Sequence, residues 1–346
     1  MNPTPPFLHP GDLVLVTGGA GFIGSHLVER LLADEVRVRV LEKPGAENLP
    51  IAKKVDLILG DICDSACVER AVQGCRAVFH LAADPNLWRK SRSGYHQVNY
   101  LGAKNVIELA LKQGVPRIVH TSTESILTRK DQTGPIGENQ ELRIQDAIGS
   151  YCRAKMRAEI FALGLGKAGA PVLVVNPTLP VGPGDEKISP PTRMILGFCN
   201  KKRREYIHGD LNLADVRDIA EAMVLALNAG VPGRRYVLSG ENLTVLEVFQ
   251  LLARLTGLPP PNRRIPFPIA LAFAFFSEIW ADWVSGVSPE ANLTGVLLTR
   301  RIMHFDSQVT LRKMGWKPRP VLESLRDALS WHLARGEITL PGGRIN

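Results

Sequence analysis

The chain has 346 residues, 45% hydrophobic and 22% charged, with a formal net charge of +8, an ordinary globular composition that suits one large α/β domain or a domain carrying a smaller lobe. No run reaches the roughly 18 apolar residues of a spanning helix, and the proline-rich start MNPTPPFLHPGD lacks a basic-then-apolar secretory pattern, so a cytoplasmic location is expected. Five cysteines with no CxxC pair suit reduced core thiols better than disulfides or zinc.

Leu13 to Val16 reads as a buried strand, and Ile23, Leu27, Val28 and Leu31 follow at helical spacing. Between them Gly18, Gly21 and Gly24 form a GxxGxxG turn, the pattern a nucleotide site needs for a tight strand-to-helix bend and close approach of backbone to pyrophosphate. The helix N-terminus at Phe22 and Ile23 then offers unpaired N–H groups to the phosphates. A second strand, Val36 to Leu41, ends in Glu42, where an acid can bond both ribose hydroxyls and repel a 2′-phosphate. This predicts NAD, and the neighbouring Lys43 leaves NADP open.

After the turn cluster KPGAENLP, Val55 to Leu59 is a third strand running into Gly60-Asp61-Ile62. Asp61 is placed to accept a hydrogen bond from an adenine amino group, and Asp64 is the natural helix N-cap. Cys63 and Cys67 stand four apart without a partner pair, so no metal is expected. A fourth strand, Ala77 to Leu81, leads to Ala82 and Ala83, whose small side chains let backbone approach a ligand. Tyr95 to Leu111 has a helical period, and a fifth strand, Arg117 to His120, delivers Thr121-Ser122-Thr123. A sixth, Val172 to Val175, runs into NPTLPVGPGD, where prolines and glycines stop regular structure. Asp215 to Ala229 reads as a helix, Arg235 to Leu238 as a strand, and Val245 to Leu255 and Leu322 to Leu333 as helices.

This alternation predicts a Rossmann-type, doubly wound parallel sheet over residues 1–180, rejoined by 210–238. A smaller, mostly helical substrate lobe is expected from 181–209 and 239–346. The basic run Lys201-Lys202-Arg203-Arg204 reads as a solvated face, with contact to an anionic membrane surface or substrate as the other reading; no nucleic-acid motif accompanies it. Ile265 to Phe276 is strongly apolar but too short to span a bilayer. It reads as a buried helix of the lobe, or as an apolar wall or interfacial patch edged by Trp280 and Trp283.

The chemistry concentrates in Ser150-Tyr151-Cys152-Arg153-Ala154-Lys155. Tyr151 and Lys155 stand at i, i+4 on one helix face. The lysine charge is expected to draw the tyrosine pKa from ~10 toward neutrality, making the pair a general acid/base.

TGGAGFIG (17–24), GDI (60–62), HLAA (80–83), VNYLGAKNVIELA (98–110), HTSTES (120–125) and YCRAK (151–155) together resemble the extended short-chain dehydrogenases/reductases, the NAD-dependent epimerase/dehydratase superfamily. AADPNLW (82–88), VVNPTLPVGPGD (174–185), LNLADVRDIAEA (211–222) and LSGENLT (238–244) are most similar to its 3β-hydroxysteroid dehydrogenase and dihydroflavonol reductase-like branch, which includes hopanoid-associated sugar epimerase-like proteins. The resemblance implies that Tyr151 exchanges a proton with the substrate oxygen and that Lys155 also holds the nicotinamide ribose. It places Thr123 as the hydrogen-bond donor to the same oxygen, with Ser122 the alternative one residue away. By the same resemblance Leu81, Ala82, Ala83 and Asn99 lie along the cofactor, and Asn176-Pro177 beside its ring.

Three functions follow as expectations. The first is a dehydrogenase or reductase of an apolar polycyclic alcohol or ketone, including one that decarboxylates a 4-carboxysterol. The second is a sugar or sugar-nucleotide epimerase, and the third a non-catalytic NAD(P) sensor. The segment LNLADVRD carries Leu211 where sugar-nucleotide enzymes of the superfamily carry a diphosphate-binding Arg. Arg193, Arg203 or Arg217 would have to substitute. A small-molecule apolar substrate, peripheral membrane contact and a homodimer are the partners anticipated.

Overall fold

The computed structural model describes residues 6–48, 50–200 and 205–346. The basic run 201–204, including Arg203, lies outside them. In chain order the first half contains β1 (Leu13–Thr17), α1 (Phe22–Ala33), β2 (Arg37–Glu42), β3 (Asp56–Leu59), α2 (Ser65–Val72), β4 (Ala77–His80), α3 (Ser93–Tyr95), α4 (Ala103–Lys112), β5 (Ile118–Thr121), α5 (Gly149–Lys167) and β6 (Val172–Pro177). The second half contains β7 (Leu179–Val181), α6 (Pro190–Cys199), β8 (Glu205–Ile207), β9 (Asp210–Asp215), α7 (Val216–Ala229), β10 (Arg235–Leu238), β11 (Glu241–Thr244), α8 (Val245–Thr256), β12 (Arg263–Ile265), α9 (Phe267–Trp280), α10 (Leu293–Leu298), α11 (Gln308–Met314) and α12 (Val321–Ala334).

Seven strands form a parallel sheet in the order β10-β6-β5-β4-β1-β2-β3. The central strands are buried along their whole length, as a sheet covered by helices on both faces requires. Leu27, Val28 and Leu31 of α1 join Ile219, Met223 and Leu227 of α7 on one face. Val68 of α2, Val106 and Ile107 of α4 and Ala162 of α5 cover the other. Strand order reverses between β1 and β4, and in such sheets the crevice opens beyond the carboxyl ends of those two strands. Beyond the sheet, β7, β9 and β11 form a three-stranded sheet packed with α6, α8 and α12 around Phe198, Phe249, Leu252 and Leu325.

Three local expectations are corrected. The helix expected over 95–111 is α-helical from Ala103 on, and its first part, His96–Gly102 between α3 and α4, is π-helical. Asp215 closes β9 as well as capping α7, its carboxylate accepting from the Arg217 N–H at 2.8 Å. The apolar run from Ile265 continues through α9 and a π turn, Ala281–Ser285, as 19 residues of helix, long and apolar enough to cross a membrane by length and composition. Most of it is exposed instead of buried, with only Ala270, Ala274 and Ala281 covered.

Behind the carboxyl edge of β5 and β6 lies a buried charge pair. Arg235 of β10 donates through Nε to Glu159 of α5, and through Nη1 to the carbonyl of Gln140 at 2.7 Å. The second Glu159 oxygen accepts from Asn176 Nδ2 at 2.7 Å. Removing one partner of such a pair leaves an uncompensated buried charge and costs about 3–5 kcal/mol. We expect Arg235→Met to lower stability by that amount in urea unfolding. A double variant carrying Glu159→Met as well should recover at least half of the loss.

Candidate active site

The site is assembled from the ends of β1, β2, β4, β5 and β6 and from the first turns of α1 and α5. At its floor Thr17 ends β1, and its carbonyl and hydroxyl accept from the N–H groups of Leu81 and Ala82 at 3.0 and 3.2 Å. This closure is only compatible with glycine at position 18. The residue has φ +74°, and a Cβ on it would sit 2.8 Å from the Ala82 nitrogen. A Cβ on Gly24 would sit 2.1 Å from the Gly18 carbonyl, so α1 packs backbone to backbone against the turn. Gly21 is the N-cap of α1 in an extended conformation without a side-chain cap. The first N–H groups, at Phe22 and Ile23, therefore have no intrahelical or capping acceptor, the arrangement that receives a phosphate.

Glu42, at the end of β2, accepts from the N–H of Ala20 inside the glycine turn and from that of Lys43, both at 3.2 Å. The Lys43 ammonium turns away to Asp61, 3.8 Å distant. Asp61 also accepts from the Cys63 N–H at 2.9 Å, and Ile62 is buried against Gly102. Asn99 is clamped to Asp84: its side chain receives the Asp84 N–H at 2.7 Å and donates to the Asp84 carbonyl at 3.0 Å. That clamp fixes the segment after Ala82 and Ala83. The glycine turn, an uncapped helix end and an acid at the edge of β2 fit a dinucleotide with free ribose hydroxyls.

Beyond β5 the polar groups are all buried. Lys155 Nζ donates to the Thr121 carbonyl at 2.7 Å, and burial pushes its pKa down to about 8 against the opposing pull of Glu159. Thr123 Oγ1 donates to Glu124 Oε2 at 2.8 Å, and burial raises the Glu124 pKa. Asn176 Nδ2 donates to the Thr123 carbonyl at 2.9 Å, while Pro177 pairs with Leu238 of β10. Ser122 Oγ and Thr121 Oγ1 are buried without a protein partner.

The tyrosine expectation is corrected. Tyr151 is pushed well above the usual phenol pKa, first by burial and then by the Glu124 carboxylate. Lys155 does not reverse this, its ammonium being committed to the Thr121 carbonyl. Spacing on one helix face brought the pair to the same site but did not fix where the lysine points. The structure also brings in residues the sequence reading missed. Tyr95 stacks edge-on against the Tyr151 ring with centroids 6.2 Å apart, and its hydroxyl is buried and unpartnered. His80 and His120 stack 5.4 Å apart beneath Lys155, and burial holds His80 near pKa 3. The proximity of Glu124 to Thr123 was the one signal available in the sequence, in HTSTES.

Leu211 is half-buried and packs against the apolar residues of the lobe core. Of the arginines considered as substitutes, Arg217 is held by Asp215 and Asp327, each at 2.7 Å, and Arg193 is exposed on α6.

The sequence is 28% identical over 326 residues to sterol demethylase protein B of Methylococcus capsulatus, covering 94% of this chain and 99% of that one. It is 33% identical over 337 residues to a Synechocystis protein provisionally named a dihydroflavonol 4-reductase, covering 94% and 96%. The solved structure of gox2253 superposes with a TM-score of 0.83 at 31% identity, covering 95% of this chain and 100% of that one. Residues 14–239, which run from the first strand through the glycine turn, Thr123, Tyr151 and Lys155 to the last strand of the sheet, match the NAD dependent epimerase/dehydratase family, and the chain belongs to that family of NAD(P)-dependent enzymes.

Proposed function

We propose that this enzyme is an NAD-dependent oxidoreductase that interconverts a secondary alcohol and a ketone on an apolar, polycyclic substrate of sterol or terpenoid type. An alcohol β to a carboxylate is included, since its oxidation gives a β-keto acid able to lose carbon dioxide. The observation that carries the substrate class is the fate of the basic groups. A nucleotide-sugar needs its diphosphate neutralised in a closed crevice, yet Leu211 carries no charge and packs half-buried against the lobe core, and Arg217 is already paired with two carboxylates. The relative named for sterol demethylation supports the same class.

When bound, the nicotinamide supplies or accepts the hydride. This chain's residues manage the proton. The raised Tyr151 pKa keeps its hydroxyl protonated at neutral pH, so it is a proton donor to an oxygen gaining negative charge. Glu124, its pKa raised by burial, accepts the Thr123 hydroxyl hydrogen and so orients that side chain in the site. Lys155 places a positive charge below the site, and Glu42, tied to the glycine turn, orients the ribose.

Tyr151→Phe removes only the ionisable oxygen, and its kcat should fall by about 10²–10⁴ with NAD affinity within a factor of three. Lys155→Met should impair both turnover and NAD binding. A Phe variant retaining a tenth of the wild-type rate, where hydride transfer limits turnover, would show that the proton comes from elsewhere.

In the cofactor-free protein Tyr151 should not titrate below pH 10. Spectrophotometric titration near 295 nm should therefore give superimposable curves for wild type and Tyr151→Phe up to that pH. An extra phenolate appearing between pH 7 and 9 only in the wild type would contradict the burial argument.

For the substrate, NADH formation with 3β-hydroxysterols, 4-carboxysterols and other polycyclic alcohols is measured beside calorimetry with UDP-glucose and UDP-galactose. Turnover of a polycyclic alcohol without micromolar UDP-sugar binding is expected. The opposite pattern would favour a sugar-nucleotide epimerase.

A further inference from the structure

The helix α9 with its π turn has its polarity inverted relative to a helix on a water-facing surface. Its outward stripe is Ile269, Phe273, Phe276, Trp280 and Trp283, recurring at intervals of four and three residues. Phe276 is 67% and Trp283 85% exposed, and Val284 and Val287 extend the patch. Its two acids point the other way. Asp282 receives the Trp88 indole N–H at 3.0 Å and lies 2.9 Å from the Arg92 guanidinium. Glu278 reaches the same guanidinium at 3.3 Å and caps the N–H of Leu293 at 2.7 Å. The charged groups of this helix are thus satisfied inside the protein, and the bulky apolar ones face outward.

Cations frame the patch at both ends. Arg263 and Arg264 precede the helix and are exposed, and Arg300 stacks over the Phe267 ring at 5.0 Å. At the far end the Lys90 ammonium lies beside Gly286. Among the described residues none of these four has a carboxylate within salt-bridge distance. Trp at the margins and basic side chains at the rim are the composition of a helix lying in a lipid–water interface.

We propose that this face docks on an anionic bilayer, with α9 lying flat and Phe276, Trp280 and Trp283 inserted at headgroup depth. The helix is long enough to span, but spanning would carry Glu278, Asp282 and Arg92 into hydrocarbon, which is costly for each ion. A second copy is a poorer occupant. A two-fold interface would bring the same patch, with the same unpaired cations, against itself. The docking helix is anchored through Trp88 and Arg92 to the segment that leads into Tyr95, and Tyr95 packs on Tyr151. The membrane face therefore adjoins the wall of the candidate site. The docking surface stands independently of the substrate proposed above, since its test does not read turnover.

The test is co-sedimentation of the full chain with vesicles of phosphatidylcholine alone or with about a quarter phosphatidylglycerol, using brominated acyl chains to quench tryptophan. Binding is expected on the anionic vesicles, with quenching. Partitioning should fall at least tenfold in Phe276→Glu/Trp280→Glu and severalfold in Arg263→Glu/Arg264→Glu. All substituted positions are exposed, and an unchanged melting temperature verifies the fold. No binding to anionic vesicles, or binding that survives Phe276→Glu/Trp280→Glu, overturns the proposal. So does a lipid-free dimer in sedimentation analysis that the same double variant dissociates, because the face would then be an interface between copies.

Discussion

Glu159 carries its carboxylate where no solvent reaches, and that desolvated charge organises the edge of the sheet at which the candidate site lies. A buried ion is tolerated only when it is paired and its remaining lone pairs are met. Arg235 pairs with it from β10 and Asn176 donates to it from β6. The same Asn176 amide reaches the Thr123 carbonyl, so the charge on α5 fixes the backbone that presents the hydroxyl. Lys155 lies one helical turn before Glu159 on α5, and the carboxylate is what supports its positive charge against burial. Loss of this pair would therefore disturb Thr123 and Lys155 together.

The site above this pair is built of groups that the protein does not fully satisfy. Ser122 Oγ, Thr121 Oγ1, Asn176 Oδ1 and both ring nitrogens of His120 are buried without partners. Each such group costs about 1–3 kcal/mol, which a fold selected for stability alone would avoid. These five atoms gather where β5 and β6 end, while Ser324 Oγ and His332 Nε2 on α12 are unpartnered in the lobe. The neutral histidine pair also shows how the enclosure sorts charge: Lys155 is the cation nearest to His80 and His120, and its field adds to burial in keeping them unprotonated.

The parallel sheet was legible because its strands, covered on both faces, read as unbroken apolar runs, and the glycine turn because its steric demands admit no other residue at positions 18 and 24. The strands β7, β8 and β12 were not, being three residues each and interrupted by proline or charge. Tyr151 and Lys155 were legible as a pair from helical spacing, but the orientation of Lys155 depends on the Thr121 carbonyl, 34 residues away. The Arg235–Glu159 contact spans 76 residues and leaves no local signature. For α9 the composition gave apolar character all round and could not say which side was supported. That is decided by Arg92, whose guanidinium draws Glu278 and Asp282 inward.

The lobe is fastened to the helices of the sheet by charge. Arg217 bridges Asp215 and Asp327 of α12, and Arg319 grips Asp218 of α7 with bonds of 2.7 and 3.0 Å. Between the strands of the lobe sheet, Asn212 Nδ2 donates to Asn242 Oδ1 at 2.7 Å, while Asn242 both donates to the Phe305 carbonyl and accepts from the Phe305 N–H. Only two residues, Ser239 and Gly240, separate β10 of the main sheet from β11 of the lobe, and Gly240 is itself bonded to Asn212. Coupling this dense leaves little room for hinging about β10 and α7. α9 is joined by fewer contacts of a different kind: Ala270 and Ala274 pack on Val296 of α10, and Glu278 and Asp282 are held by Arg92, with Trp88 donating to Asp282.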